Sequence, residues 1–115
     1  MSKILVVDDE PGIRETMRDI LILEGYEVDT AECGEQAVAK CADGHYDFVL
    51  LDVYMPGMNG LETLREINRV SSDTRTIMIT GYDPARIIDQ AMNEGAEAVF
   101  RKPLNVAMFL PLLMA

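Results

Sequence analysis

A five-stranded parallel α/β sheet, doubly wound with helices on both faces, is the architecture expected of this chain, and three observations lead to it. Short runs rich in β-branched residues and leucine alternate with segments whose apolar residues recur at helical spacing. The runs are continuously apolar instead of alternating, as in parallel strands covered on both faces. At their C-terminal ends stand Asp8 and Asp9, Asp52, Thr80 and Lys102, which a parallel sheet gathers along one edge, where ligands of such folds bind.

The first run, Ile4 to Val7, stops at Asp8-Asp9-Glu10. Pro11 and Gly12 punctuate, and Ile13, Met17, Ile20, Leu21 and Leu23 then mark a helix that Gly25 is placed to cap. Tyr26 to Ala31 reads as a second strand, and Gly34 to Ala42, with Ala37, Val38 and Cys41 on its apolar side, as a second helix before the Asp43-Gly44 turn. Phe48 to Leu51 is a third strand that runs directly into Asp52. After a loop of Met, Pro and Gly residues, Leu61, Leu64, Ile67 and Val70 give the next helical face, closed by Ser71-Ser72-Asp73.

Thr76 to Thr80 forms the fourth strand; Gly81-Tyr82-Asp83-Pro84 leads into a helix carrying Ile87, Ile88, Ala91 and Met92 and ending near Gly95. Ala98 to Phe100 is a short fifth strand before Arg101-Lys102-Pro103, and Val106 to Ala115 is read as a fifth helix. Strands alternating with helices of about ten to fourteen residues imply βαβ crossovers and a parallel sheet. That tail is unusual. From Leu104 to Ala115 it carries no charge, whereas a last helix covering a sheet ordinarily shows a polar outer stripe. Excision from a longer protein, or cover by a partner or a second copy, would each account for it.

The 115 residues, 49% hydrophobic and 26% charged, suit one soluble domain over 1–115 with a single core. A formal net charge of −10 argues against direct nucleic-acid binding and against an anionic membrane surface, since both need clustered Lys and Arg. The longest uncharged stretch, Pro103 to Ala115, is too short to span a bilayer. With no leader-like segment at Met1-Ser2-Lys3, a cytoplasmic location is expected. Cys33 and Cys41 have neither a Cys-x-x-Cys nor a Cys/His ligand spacing, so packing is expected of them, not a disulfide or zinc. His45, the one histidine, lies in a turn with no adjacent ligand set.

The chemistry starts from the carboxylates. Asp8, Asp9 and Asp52 brought together would repel one another, and such a cluster either raises a pKa or recruits a cation. Mg2+ is the expected cation, because it binds hard oxygen donors through a few carboxylates, keeps several waters and bridges to phosphoryl oxygens. Asp52 is the candidate nucleophile, since a carboxylate attacking phosphorus gives an acyl phosphate and needs no separate base. Lys102 supplies a point charge for carboxylate or phosphate, and Pro103 biases its backbone to extended. Thr80 offers a hydroxyl to an anion.

These residues in this order resemble the receiver domain of response regulators in two-component signalling, which has a flavodoxin-like fold. The resemblance spans essentially the whole chain. It is carried by Ile4 to Glu10, by Val49 to Gly60 around Asp52, by Met78 to Gly81, and by Gly95-Ala96 followed by Lys102-Pro103. It implies that Asp52 accepts a phosphoryl group from a histidine kinase or histidine phosphotransfer protein. Asp9 would contact Mg2+ directly and Asp8 through water, with the backbone carbonyl of Tyr54 as the third protein ligand. Thr80 and Lys102 would hold phosphoryl oxygens, and movement of Thr80 would carry the signal to the surface near the fourth helix and fifth strand. Ile13, Glu15, Thr16 and Met17 lie on the face that receivers offer to kinases. A phosphorylation-dependent dimer, and an output through another protein or a missing effector domain, are also implied.

One departure concerns the readout. Many receivers place an aromatic three residues before the lysine of Lys-Pro, and this chain has Val99 there; Phe100 is expected on the opposite sheet face, in the core. Tyr54 and Tyr82 stand two residues beyond Asp52 and Thr80, where their rings are expected to shield an acyl phosphate from water. Three other functions compete with the receiver reading. A flavin-binding electron carrier would share the fold, but Asp8-Asp9-Glu10 would repel its cofactor phosphate. A receiver-like interaction domain without phosphotransfer is opposed by the complete set of acids, hydroxyl and lysine. An Asp-nucleophile phosphatase would place an acid catalyst two residues after the nucleophile, where this chain has Tyr54.

Overall fold

The computed structural model describes residues 2–55, 57–81, 84–102 and 111. Among them, five strands, β1 (Lys3–Val7), β2 (Glu27–Ala31), β3 (Phe48–Asp52), β4 (Arg75–Thr80) and β5 (Ala98–Arg101), form one sheet. Every pairing is parallel, in the order β2-β1-β3-β4-β5. The connections run through α1 (Pro11–Leu23), α2 (Gly34–Asp43), α3 (Gly60–Val70) and α4 (Ile88–Asn93). The doubly wound α/β sheet is therefore present. The fifth helix expected over Val106 to Ala115 lies, apart from Pro111, outside the described residues.

The two faces of the sheet build two apolar clusters, because successive side chains of a strand point to opposite sides. Leu5, Val7, Val49, Leu51 and Met78 pack with Ala37 and Cys41 of α2, Leu64 and Ile67 of α3 and Ala91 of α4. Ile4, Val6, Phe48, Leu50, Ile77 and Ile79 face the other way, against Met17 and Leu21 of α1. The same alternation separates Val99, packed on the first cluster, from Phe100, packed on the second. Cys33 and Cys41 are free thiols, and burial pushes Cys41 up to about 11.

Local signals set the helix ends. Pro11 opens α1, and Gly25, at φ 95°, takes the left-handed turn that follows it. Asn59 and Glu62 close a capping box on α3, with the Asn59 side chain accepting from the Glu62 N–H at 3.0 Å. The helix read through Ile87 to Met92 is shorter than its apolar pattern suggests. A 3-10 turn at Pro84–Arg86 precedes an α4 of 6 residues; its N-cap Ile87 and its Ala91 are buried, while Ile88 and Met92 are partly exposed.

At the N-terminal edge of the sheet, Arg75 grips Glu97 with two hydrogen bonds of 2.7 and 2.6 Å and lies over the Phe48 ring. His45 sits on the same edge, 3.4 Å from Asp47 and 3.8 Å from Asp73, a pair of carboxylates that its sequence neighbourhood only half reveals. Inside β4, Thr76 is 1% exposed and its hydroxyl has no hydrogen-bond partner among the described residues. A buried unmet hydroxyl costs about 1–3 kcal/mol. Thr76→Val is accordingly expected to leave stability unchanged or raise it by about 1 kcal/mol in urea unfolding; a loss of that size would reveal a partner for the hydroxyl.

Candidate functional site

Strand order brings the site together. The chain leaves β1 for β2 on one side and returns for β3 on the other, so β1 and β3 are neighbours across a switch point where a crevice opens at their carboxyl ends. Val7 pairs with Leu51 and Asp52 with Ile79, which puts Asp8 and the end of β4 level with Asp52. Thr80 pairs with Arg101, so Lys102 follows immediately on the far strand, its N–H donating to the Thr80 carbonyl at 2.7 Å.

Asp8, Asp9 and Asp52 each present a carboxylate oxygen within 4.8 Å of the others. Asp8 and Asp52 are both 4% exposed, whereas Asp9 faces solvent. Lys102 Nζ lies 3.2 Å from Asp8 and 3.2 Å from Asp52, and 3.9 Å from the more exposed Glu10. The structure thus joins the three acids and the lysine. Thr80 is fully buried at the same strand edge, and Tyr54, half exposed, donates its backbone N–H to Asp52 at 3.3 Å. Tyr82 lies outside the described residues. On the α1 side, a cavity of about 740 Å³ runs from Asp8 and Lys102 along Ile13, Met17 and Ile79.

The electrostatics follow from this geometry. Burial, and then the neighbouring Asp8 carboxylate, push Asp52 up to about 6 against the pull of Lys102. Burial draws the Lys102 ammonium down, but Asp52 and Asp8 outweigh it and its pKa stands above the ordinary lysine value. Among the described residues, one ammonium beside three carboxylates leaves the acids undercompensated. The donors are all hard oxygens with one open, solvent-facing acid, which suits Mg2+ better than a soft metal.

A pH dependence follows. Because the folded-state pKa of Asp52 exceeds its ordinary value of 3.8, the native state binds more protons between those values, so this contribution is present below about 4 and lost as pH rises through about 6. Without metal, the stability of the wild type relative to Asp52→Asn is expected to fall by about 1–2 kcal/mol over that window, a figure that allows for solvent at the mouth of the site. Millimolar Mg2+ is expected to restore it. Urea unfolding of both proteins across the window, with and without Mg2+, measures this, and parallel curves would contradict it.

Two residues at the site escaped the sequence reading. Arg14 of α1 donates from Nη1 to the Asp8 carbonyl at 2.7 Å and lies 3.9 Å from Glu32. Glu35 of α2 accepts from the Met58 N–H at 3.2 Å, tying down the loop that follows Asp52. For Arg14 a signal existed: a cation in the first turns of a helix opposes the macrodipole and needs an anionic neighbour to explain it.

Residues 4–112 match the family described as response regulator receiver domain. The transcriptional regulatory protein ResD of Bacillus subtilis is 42% identical over 106 residues, covering 90% of this chain and 43% of its own length. The chain thus spans less than half of that relative. The crystal structure of the response regulator protein TrrA of Thermotoga maritima in complex with Mg2+–BeF is 41% identical, with a TM-score of 0.88 over 99% of this chain and 97% of that one; TrrA has also been solved in complex with the histidine kinase ThkA. A CheY-like receiver domain protein of Methanospirillum hungatei superposes with a TM-score of 0.93 at 32% identity, over 99% of this chain and 91% of that one.

Proposed function

This chain belongs to the response regulator receiver domain family, and on that footing we propose that Asp52 is the phosphoacceptor of a phosphorylation-driven signalling switch. The observation that carries the reading is the joining of Asp8, Asp9, Asp52 and Lys102 at one crevice by strands distant in sequence. An oxygen of the Asp52 carboxylate forms the new O–P bond as the donor's P–N bond breaks, giving an acyl phosphate and freeing the donor histidine. With a pKa of about 6, Asp52 is mainly ionised at neutral pH and ready to attack.

Asp9, with Asp8 behind it, Asp52 and the backbone carbonyl of Tyr54 would hold Mg2+, which when bound neutralises charge on the phosphoryl oxygens. Lys102 turns from the carboxylates to a phosphoryl oxygen, and the Thr80 hydroxyl donates to another. The new group adds about −1.5 to −2 charge with strong acceptors, enough to shift a balance between two packings a few kcal/mol apart. With Val99 on the sheet face where Thr80 lies, this chain's readout runs without the usual aromatic at that position.

We take residues 1–115 as one receiver domain that promotes its own phosphorylation and dephosphorylation and turns over no separate substrate. The proposed partners are a histidine kinase or a histidine phosphotransfer protein, a downstream protein or attached effector, and a second copy on phosphorylation; direct contact with nucleic acid or membrane is not proposed. No described helix is long and apolar enough to cross a membrane, and the free thiols suit the proposed cytoplasmic setting. Incubation with a small phosphodonor such as acetyl phosphate tests the reading: intact mass should rise by one phosphoryl group with Mg2+ and stay unchanged with chelator. A chain unmodified under both conditions would overturn it.

A further inference from the structure

Arg14 is the fourth residue of α1, close to the positive end of the helix dipole, where a cation is disfavoured by about 0.3–1 kcal/mol. Its side chain is nevertheless only 12% exposed. Glu32 does not explain this, being 68% exposed and 3.9 Å away, since such a pair contributes little. The short contact is the 2.7 Å hydrogen bond from Nη1 to the carbonyl oxygen of Asp8.

That carbonyl belongs to the peptide joining the two acids. A peptide unit is planar, so holding the Asp8 oxygen also fixes the N–H of Asp9 and the direction in which Asp9 leaves the strand. The rest of the segment is pinned as well: the Asp8 N–H donates to the Ala31 carbonyl at 3.2 Å, and the Asp8 carboxylate accepts from the Glu10 N–H at 3.0 Å. Among the described residues, Asp9 itself makes no side-chain hydrogen bond or ion pair, so its placement depends on this backbone. We propose that Arg14 is a positioning residue for the metal-binding acids: it locks the Asp8–Asp9 peptide plane through its hydrogen bond to the Asp8 carbonyl, while touching neither metal nor phosphoryl group. The inference rests on reading the acidic cluster as a Mg2+ site.

Calorimetric titration of the metal-free chain with Mg2+, with urea unfolding run in parallel, tests it on wild type, Arg14→Met, Arg14→Lys and Glu32→Gln. Loss of such an outer contact is expected to weaken Mg2+ binding about tenfold in Arg14→Met. Arg14→Lys, which keeps a charge and a donor, should recover most of that loss, and Glu32→Gln should bind within about twofold of wild type. Labelling of Arg14→Met by acetyl phosphate should fall at low Mg2+ and recover as Mg2+ is raised, which a general loss of structure would not allow. Mg2+ affinity within about twofold of wild type in Arg14→Met, or an equal loss in Glu32→Gln, would overturn the proposal. If Arg14→Met does not fold, Arg14→Gln replaces it with the same expected weakening and the same overturning result. A folded wild-type chain that takes up no Mg2+ would instead overturn the metal reading itself.

Discussion

Asp52→Asn is expected to carry no phosphoryl group after incubation with Mg2+ and acetyl phosphate, a fall of at least about two orders of magnitude in labelling. The amide keeps the shape of the carboxylate but has no anionic oxygen to attack phosphorus. The fold should survive, because burial and Asp8 already press the Asp52 carboxyl toward its neutral form, which the amide imitates. A melting transition as sharp as the wild type's, together with absent label, would therefore locate the chemistry. Label persisting at full level would move the acceptor to Asp8 or Asp9, the other acids of the cluster.

The second large effect is structural. A Cβ at Gly60 would lie 2.6 Å from the Val53 Cα, 2.8 Å from the Val53 oxygen and 2.9 Å from the Asp52 oxygen, all backbone atoms that no rotamer can move. The Gly60 N–H already donates to the Val53 carbonyl at 2.8 Å, fastening the start of α3 to the strand end that carries Asp52. Gly60→Ala gains about 1 kcal/mol at most from helix propensity, against an overpacking cost of about 3 kcal/mol or more. A net loss of about 2–3 kcal/mol in urea unfolding is expected, with weaker Mg2+ binding because the Asp52–Tyr54 backbone must shift. An unchanged midpoint would mean that α3 can move off the sheet freely.

How much of this was legible beforehand depended on how local each signal is. Ile4 to Val7 and Phe48 to Leu51 announce strands because burial on both faces demands continuous apolar residues, and the acids ending them follow from parallel topology. The separation of Val99 from Phe100 follows from strand alternation alone. The helix after β4 is shorter than expected because the segment leading into it tightens into a 3-10 turn at Pro84–Arg86 and α-helical bonding begins only at Ile88, a change that the apolar spacing of Ile87 to Met92 does not mark. Arg14 signals itself only as a cation at a helix start, and Glu35 not at all, because each acts on a backbone group, Arg14 on the Asp8 carbonyl and Glu35 on the Met58 N–H. Backbone groups are alike at every position, so only the folded geometry reveals which one a side chain meets. His45 was incomplete for a related reason, since Asp73 reaches it only through the sheet edge.

The proposed switch requires that strands remote in sequence assemble one oxygen-lined metal site next to Lys102. Crystals grown with Mn2+ in place of Mg2+ test this most directly, through the anomalous signal of the bound ion. The expected result is a single strong peak among Asp8, Asp9 and Asp52, with ligand oxygens of Asp9, Asp52 and the Tyr54 carbonyl at about 2 Å. A saturated crystal with manganese bound elsewhere, or with none near these carboxylates, would contradict it.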